Sequence, residues 1–271
     1  MGNKDLANTA FIKRSFKRSM TRNSVLSEIL TPFETLAVKR AEICASLTDI
    51  RPGFHITVDA ETFTRGTPVL HDFVPTEAIS EMFLTSIKQL APVMADIFPP
   101  LAEFVKKVSG KIASGEVPPH LCVETMVNDE PKAMKILGDR TGVSPEILYF
   151  ILYHPLKIVF ENISRHLEGA AEDGLQEFRW VKGYCPICGF FPDISFLRVP
   201  GPDPESAQFL DAQGGEFWLH CSQCSHEWRI KRGVCPYCEN EDHDTLQYFA
   251  EKQNNKERVY TCNKCKTYIV C

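Results

Sequence analysis

Two kinds of hydrophobic pattern divide this chain. Up to about residue 170, apolar residues recur at mostly three- and four-residue spacing, as they do on one face of a helix. Thr31-Pro32-Phe33-Glu34 reads as a helix start, with a capping-box pair and a proline at the first helical position, followed by Phe33, Leu36, Ala37, Cys44 and Leu47. Residues 51–75, rich in Pro, Gly and Thr, predict a long ordered connection and a candidate binding surface. Helical patterns resume at Thr76-Glu77 and continue around Pro92 and Pro99-Pro100. The last helix runs from Ser144-Pro145 to Gly169, with a kink predicted at Pro155. It is too apolar for a solvent-facing helix and too short for a bilayer, which predicts the central helix of an all-α bundle.

Beyond that point the pattern changes to short β-rich runs between tight turns. Cys185-Pro186-Ile187-Cys188, Cys221-Ser222-Gln223-Cys224, Cys235-Pro236-Tyr237-Cys238 and Cys262-Asn263-Lys264-Cys265 form four knuckles. Strands are expected around 194–199, 217–220, 226–230, 245–249, 258–261 and 267–270. The order of knuckle, hairpin and knuckle occurs twice, with 32 residues between the first two knuckles and 23 between the last two. The extra length falls in the Pro- and Gly-rich stretch 200–215. Consecutive pairing follows: Cys185, Cys188, Cys221 and Cys224 for one metal, Cys235, Cys238, Cys262 and Cys265 for the other. Four thiolates at tetrahedral spacing are the usual structural site, closed to a further ligand and unsuited to hydrolysis. Zinc is the main reading and rubredoxin-like iron the alternative. Only the first knuckle is followed by glycine; Ser225, Glu239 and Lys266 stand in the other three. His220 and His226 flank the second knuckle, but hydrogen bonding suits them better than ligation.

The fold class is therefore α+β: an N-terminal all-α helical domain, residues 1–178, followed by two tandem small β rubredoxin-like or zinc-ribbon metal domains, residues 179–231 and 232–271. Composition agrees with a globular chain of 271 residues, 44% apolar and 24% charged. Nine of the eleven cysteines lie from Cys185 onward, and Cys44 and Cys122 read as buried, inert thiols. No apolar stretch of signal-peptide or membrane-span length follows the basic start, so a cytoplasmic protein with metal-bound rather than disulfide-bonded thiols is expected. Residues 1–23 carry six basic side chains against Asp5 alone and read as a frayed, flexible terminus.

No catalytic constellation is visible: the histidines of the first half are scattered, and there is no phosphate loop or nucleophile elbow, so an enzyme is not expected. Residues 180–271 hold ten Lys and Arg against twelve Asp and Glu. Two loaded four-thiolate sites make the module still more negative, which disfavours nucleic acid as a partner. The knuckle tips, with Ile187 and Tyr237, are the candidate partner contacts.

The run Trp180-x-x-Gly183-x-Cys185-Pro186-x-Cys188-Gly189-x-x-Pro192, then Leu219-His220-Cys221-Ser222-x-Cys224 with Trp228, Arg232, Cys235 and Cys238, then Tyr248-Phe249 and Cys262-x-x-Cys265-x-x-Tyr268, resembles the formate dehydrogenase accessory protein family, FdhE. Gly66-Thr67-Pro68-Val69-Leu70 and the helical first half resemble it more loosely. The resemblance implies a cytoplasmic assembly chaperone that binds the catalytic subunit of a formate dehydrogenase during maturation. It also implies a helical domain followed by two rubredoxin-like domains, whose ligands are the eight paired cysteines. A rubredoxin-like electron carrier and a zinc-ribbon adaptor of transcription are the alternatives; the large helical domain disfavours the first and the charge the second.

Overall fold

The computed structural model describes residues 9–47, 59–71, 74–127, 131–170, 180–198, 215–251 and 254–271. The 200–215 hairpin loop, apart from its last residue, and residues 51–58, 72 and 73 of the long connection lie outside them. The chain divides into two compact units, Met1–His55 with Asp72–Gly169, and Ile56–His71 with Ala170–Cys271.

The first unit is helical. Helix α1 (Thr9–Arg22) carries the basic segment that reads from sequence as a frayed end. Its Ile12, Phe16 and Met20 recur every four residues and are half-buried, and α1 packs along α2 (Ser27–Ser46). Helix α2 begins before Thr31 and passes through Pro32, because a proline so near the N-terminus removes a single ladder bond. The Thr31 hydroxyl donates to Ser27 O at 2.7 Å rather than capping the helix. Helix α3 (Ala60–Arg65) belongs to the second unit. Helix α4 (Glu77–Ile97) starts at Thr76, whose hydroxyl accepts from the Ile79 amide at 3.3 Å. It packs on α2, on α5 (Ala102–Ala113) and on α6 (Pro119–Val127). Helices α7 (Pro131–Thr141) and α8 (Pro145–Ala170) complete the bundle.

Leu148, Ile151, Leu152, Leu156, Val159 and Phe160 of α8 are buried, as a central helix requires. Phe98 after α4 meets Phe33 of α2 at 5.5 Å and Phe150 of α8 at 5.4 Å between ring centroids, tying the three helices together. The same face of α8 buries Glu161, which pairs with Arg40 at 3.0 Å, and Asn162, which donates to the Leu47 carbonyl at 2.9 Å. Cys44 and Cys122 are buried, and both thiols are pushed up to about 12: Cys44 by burial and then by Glu161, Cys122 by burial. No single described helix is long and apolar enough to cross a membrane; only α7 and α8 taken together, bent by 93°, reach that composition.

In the second unit six strands form one sheet: β1 (Pro192–Arg198), β2 (Glu216–Cys221), β3 (Glu227–Ile230), β4 (Leu246–Glu251), β5 (Asn254–Cys262) and β6 (Thr267–Val270), in the order β3-β2-β1-β6-β5-β4. All neighbours are antiparallel except β1 and β6, which meet in parallel at Ile194 and Val270. The tandem ribbons share a continuous sheet through this pairing. Ser195, Leu219, Phe217, Trp228, Ile230 and Ile269 bury one face, and Phe249, Tyr268, Val270 and Ile194 lie exposed on the other.

Candidate metal centres

Each knuckle is a tight turn held by its own backbone. The first cysteine's amide donates to the carbonyl five residues on, as Cys185 does to Phe190, Cys221 to His226 and Cys235 to Asn240, each at 2.9 Å. In the reverse direction Gly189, Glu239 and Lys266 donate to Cys185, Cys235 and Cys262, again at 2.9 Å. This frame requires a left-handed residue after the second cysteine. Gly189, Ser225, Glu239 and Lys266 all take it, with φ of 79°, 59°, 56° and 61°. The missing glycines therefore leave the geometry unchanged and impose a conformational cost on three knuckles.

The turns bring the eight cysteines into two groups of four, Cys185, Cys188, Cys221 and Cys224, and Cys235, Cys238, Cys262 and Cys265, with all sulfurs of a group within 4.8 Å of one another. In the first group Cys185 and Cys224 are 3.5 Å apart and Cys188 and Cys221 3.4 Å; in the second, Cys235 and Cys265 are at 3.6 Å and Cys238 and Cys262 at 3.7 Å. A tetrahedron of thiolates around zinc at about 2.3 Å has edges of about 3.8 Å, so both groups are close to the required size. Disulfides are excluded at these separations.

The electrostatics also suit a cation. The Gln223 and Cys224 amides donate to Cys221 Sγ, each at 3.4 Å, and Asn240 Nδ2 donates to Cys262 Sγ at 3.6 Å. Burial pushes the Cys221 thiol up, but hydrogen bonds from the other three thiols and from the Cys224 amide outweigh it and hold Cys221 well below the ordinary thiol range. Cys262 is likewise raised by burial and brought down to about 6, by the Cys265 and Lys264 amides together with the Cys238 and Cys265 thiols. Burial raises Cys185 and Cys224 well above the ordinary value and Cys235 to about 12. The lowered thiols thus lie on the second knuckle of each group, Cys221 in the first and Cys262 with Cys265 in the second, where burial raises Cys265 and Thr267 brings it down. The raised thiols need a bound cation to ionise alongside them. When bound, a metal in either group supplies closed, four-coordinate crosslinking with no vacant position for substrate.

The two centres differ in access. All four cysteines of the first are buried, whereas Cys238 and Cys265 of the second are half-exposed. The first is covered by a segment 118 residues upstream of its lead-in. Tyr184 Oη donates to Gly66 O at 2.6 Å, and the Val69 and Leu70 amides donate to Pro186 O and Ile187 O, each at 2.8 Å. Phe63 of α3 packs on Trp180 at 4.7 Å. Ile187, expected at an exposed tip, is 0% exposed, because this segment lies over the knuckle. Tyr237 is half-buried: its hydroxyl donates to Pro192 O at 3.1 Å and its ring packs on Phe191 at 5.5 Å. Residues 66–70, expected within a long ordered connection, help to close the first centre, a part that their local pattern does not show. Their looser likeness to the FdhE pattern was the available signal.

His220 and His226 stay outside both groups. His220 Nδ1 lies 2.8 Å from Asp193 Oδ1, and the His226 ring stacks on Trp228. In the helical unit a groove of about 860 Å³ is lined by Lys135, Asp139, Ser144 and Glu146 among apolar residues, with no histidine or cysteine among the described residues of its lining.

No protein-family model matches the chain. Among curated proteins it is similar to an FdhE homolog of Aquifex aeolicus (strain VF5), 32% identical over 128 residues, 47% of this chain and 40% of that protein. An FdhE homolog of Edwardsiella ictaluri is 26% identical over 214 residues, 78% of this chain and 59% of that protein. FdhE of Salmonella paratyphi A is 28% identical over 132 residues, 49% of this chain and 38% of that protein. The alignments thus span about half the length of the curated relatives the chain matches. Among solved structures, the crystal structure of the FdhE protein from Pseudomonas aeruginosa has the same fold, with a TM-score of 0.55 and 17% identity over 100% of this chain and 83% of that one. Curated homologues at 26–32% identity, together with a solved FdhE chain of like fold, support the FdhE family for this chain.

Proposed function

We propose that the chain is a non-catalytic accessory protein of formate dehydrogenase maturation, which works in the cytoplasm and binds the catalytic subunit while that subunit is assembled. The observation that carries this reading is the pair of closed four-cysteine groups in a chain related to FdhE proteins. Such groups fix a surface and leave no ligand position for chemistry. The groove of the helical unit adds no nucleophile with a histidine base to that picture. Each group takes one ion, zinc in the first reading and iron in the second.

The test is a pull-down of the tagged chain from cells producing formate dehydrogenase, with metal analysis of the same sample. The reading expects the catalytic subunit in the eluate, two metal ions per chain, and less active dehydrogenase when both centres are removed by Cys→Ser changes. Full dehydrogenase activity in cells whose accessory protein lacks both centres would refute a role for the metal module in assembly. A purified chain that oxidises formate would refute the non-catalytic reading.

A further inference from the structure

The two metal modules repeat the same knuckle, hairpin and knuckle, so each is a control for the other. Their lead knuckles, Cys185-Pro186-Ile187-Cys188 and Cys235-Pro236-Tyr237-Cys238, differ in what lies on them. In the second, Cys238 is half-exposed, and among the described residues no backbone amide donates to the Pro236 or Tyr237 carbonyl. In the first, both cysteines are buried, and the Val69 and Leu70 amides donate to the corresponding carbonyls of Pro186 and Ile187.

The segment that makes these bonds is fitted to both sides of the knuckle. On the entering side Tyr184 Oη donates to Gly66 O; on the leaving side Pro68 Cγ stands 3.2 Å from where a Cβ on Gly189 would be. Gly66 is left-handed at φ 109°, and a Cβ there would meet Lys182 and Tyr184 side-chain atoms at 2.8 Å. Phe63 and Leu70 are each 2% exposed, and Phe63 packs on Trp180.

None of these contacts belongs to the ladder of the six-stranded sheet. Two main-chain bonds, one phenolic bond and two buried side chains are few enough to open locally while the sheet stays paired.

We propose that residues 63–70 form a strap that controls metal exchange at the first centre. The ion enters and leaves when the strap is lifted from Pro186 and Ile187, and the seated strap traps it. This assignment rests on the reading that the first group takes one ion. Coupling of this kind is reciprocal: the loaded knuckle presents its two carbonyls in pairing geometry, so the ion also holds the strap down. The first centre thereby registers whether the strap is seated, which the second, with no such cover on its lead knuckle among the described residues, does not.

The experiment uses two full-length, zinc-loaded chains: Cys238→Ser, which keeps only the first centre, and Cys188→Ser, which keeps only the second. Zinc loss to an excess of a chromogenic chelator is timed in each. In the first chain Tyr184→Phe, which keeps the ring on Trp180 and removes the bond to Gly66, should speed the loss several-fold. Val69→Pro, which removes a strap amide, should speed it at least about tenfold. In the second chain both changes should leave the rate as it was. Removing zinc from the first chain should also quicken hydrogen exchange at the Val69 and Leu70 amides. Rates in the first chain that neither substitution alters overturn the strap. Equal acceleration in both chains overturns it as well, since that is a general loss of stability. A first chain that takes up no zinc overturns the metal reading itself, whereas zinc held and released at unaltered rates overturns the strap alone.

Discussion

Gly183 and Pro236 touch through their backbones: a Cβ on Gly183 would stand 1.9 Å from the Pro236 carbonyl oxygen and 2.5 Å from its carbon. Gly183 leads into the first knuckle and Pro236 sits inside the third, so the contact locks one metal module against the other. Tyr237 on Pro192 and the β1–β6 pairing fasten the same seam.

Gly183→Ala should therefore destabilise the second unit by about 2–3 kcal/mol or more, since neither backbone can yield without moving a knuckle. Both metals should remain, because no ligand is altered. Thermal unfolding of the metal-loaded protein is the measurement; an unchanged melting temperature would show that the modules are not packed in this way.

The metal stoichiometry follows from the grouping. Cys188→Ser should cost one ion and Cys238→Ser the other, since the groups share no ligand. A chelator should strip the second centre first, because Cys238 and Cys265 are half-exposed while the first centre is buried under residues 66–70. Timed metal analysis of the two variants reads the order directly, and faster loss from the chain that keeps only the first centre would contradict it.

How much of this was legible depends on the range of the interaction. The knuckles repeat at fixed local spacing, so their pairing was readable before any fold was known, as were the α4 start at Thr76 and the burial of α8. The cover over Cys188 comes from Val69 and Leu70 and has no local period; only the folded chain brings their amides to Pro186 and Ile187. The same holds for Ile194 beside Val270, a parallel register that joins the two tandem ribbons in one sheet. Helix α1 is a different case: Ile12, Phe16 and Met20 carry a helical period, but the density of basic residues hid it.

The left-handed residues give a stabilising change. Lys266 is exposed at φ 61°, where a side chain costs about 1–2 kcal/mol and glycine costs none. Part of that gain is offset by the greater freedom of glycine in the unfolded chain. Lys266→Gly should stabilise the second unit by about 0.5–1 kcal/mol, leaving Cys262 and Cys265 in place. Equilibrium unfolding of the loaded protein checks the sign, and a loss of stability would mean that the lysine makes a contact worth more than the strain.

The helical unit carries an acid sensitivity of its own. His154 is buried on α8, its ring edge-on to Phe150 and Tyr153, and neither ring nitrogen has a hydrogen-bond partner among the described residues. Burial first, then the positive charges of Arg40 and Lys157, pull its pKa down to about 3 from the ordinary 6.5. Between those values the unfolded chain binds a proton that the folded chain refuses, so stability falls as pH drops below about 6.5, by up to about 1.4 kcal/mol per unit. Above that range both states are neutral and the effect vanishes. His154→Leu removes the titration and two unpartnered polar atoms from an apolar site. It should hold or improve stability at neutral pH and lose about 2 kcal/mol less than the parent between pH 6.5 and 5. The helical far-UV signal followed in denaturant at each pH measures the difference, and parallel losses in both proteins would mean that His154 is protonated in the folded state.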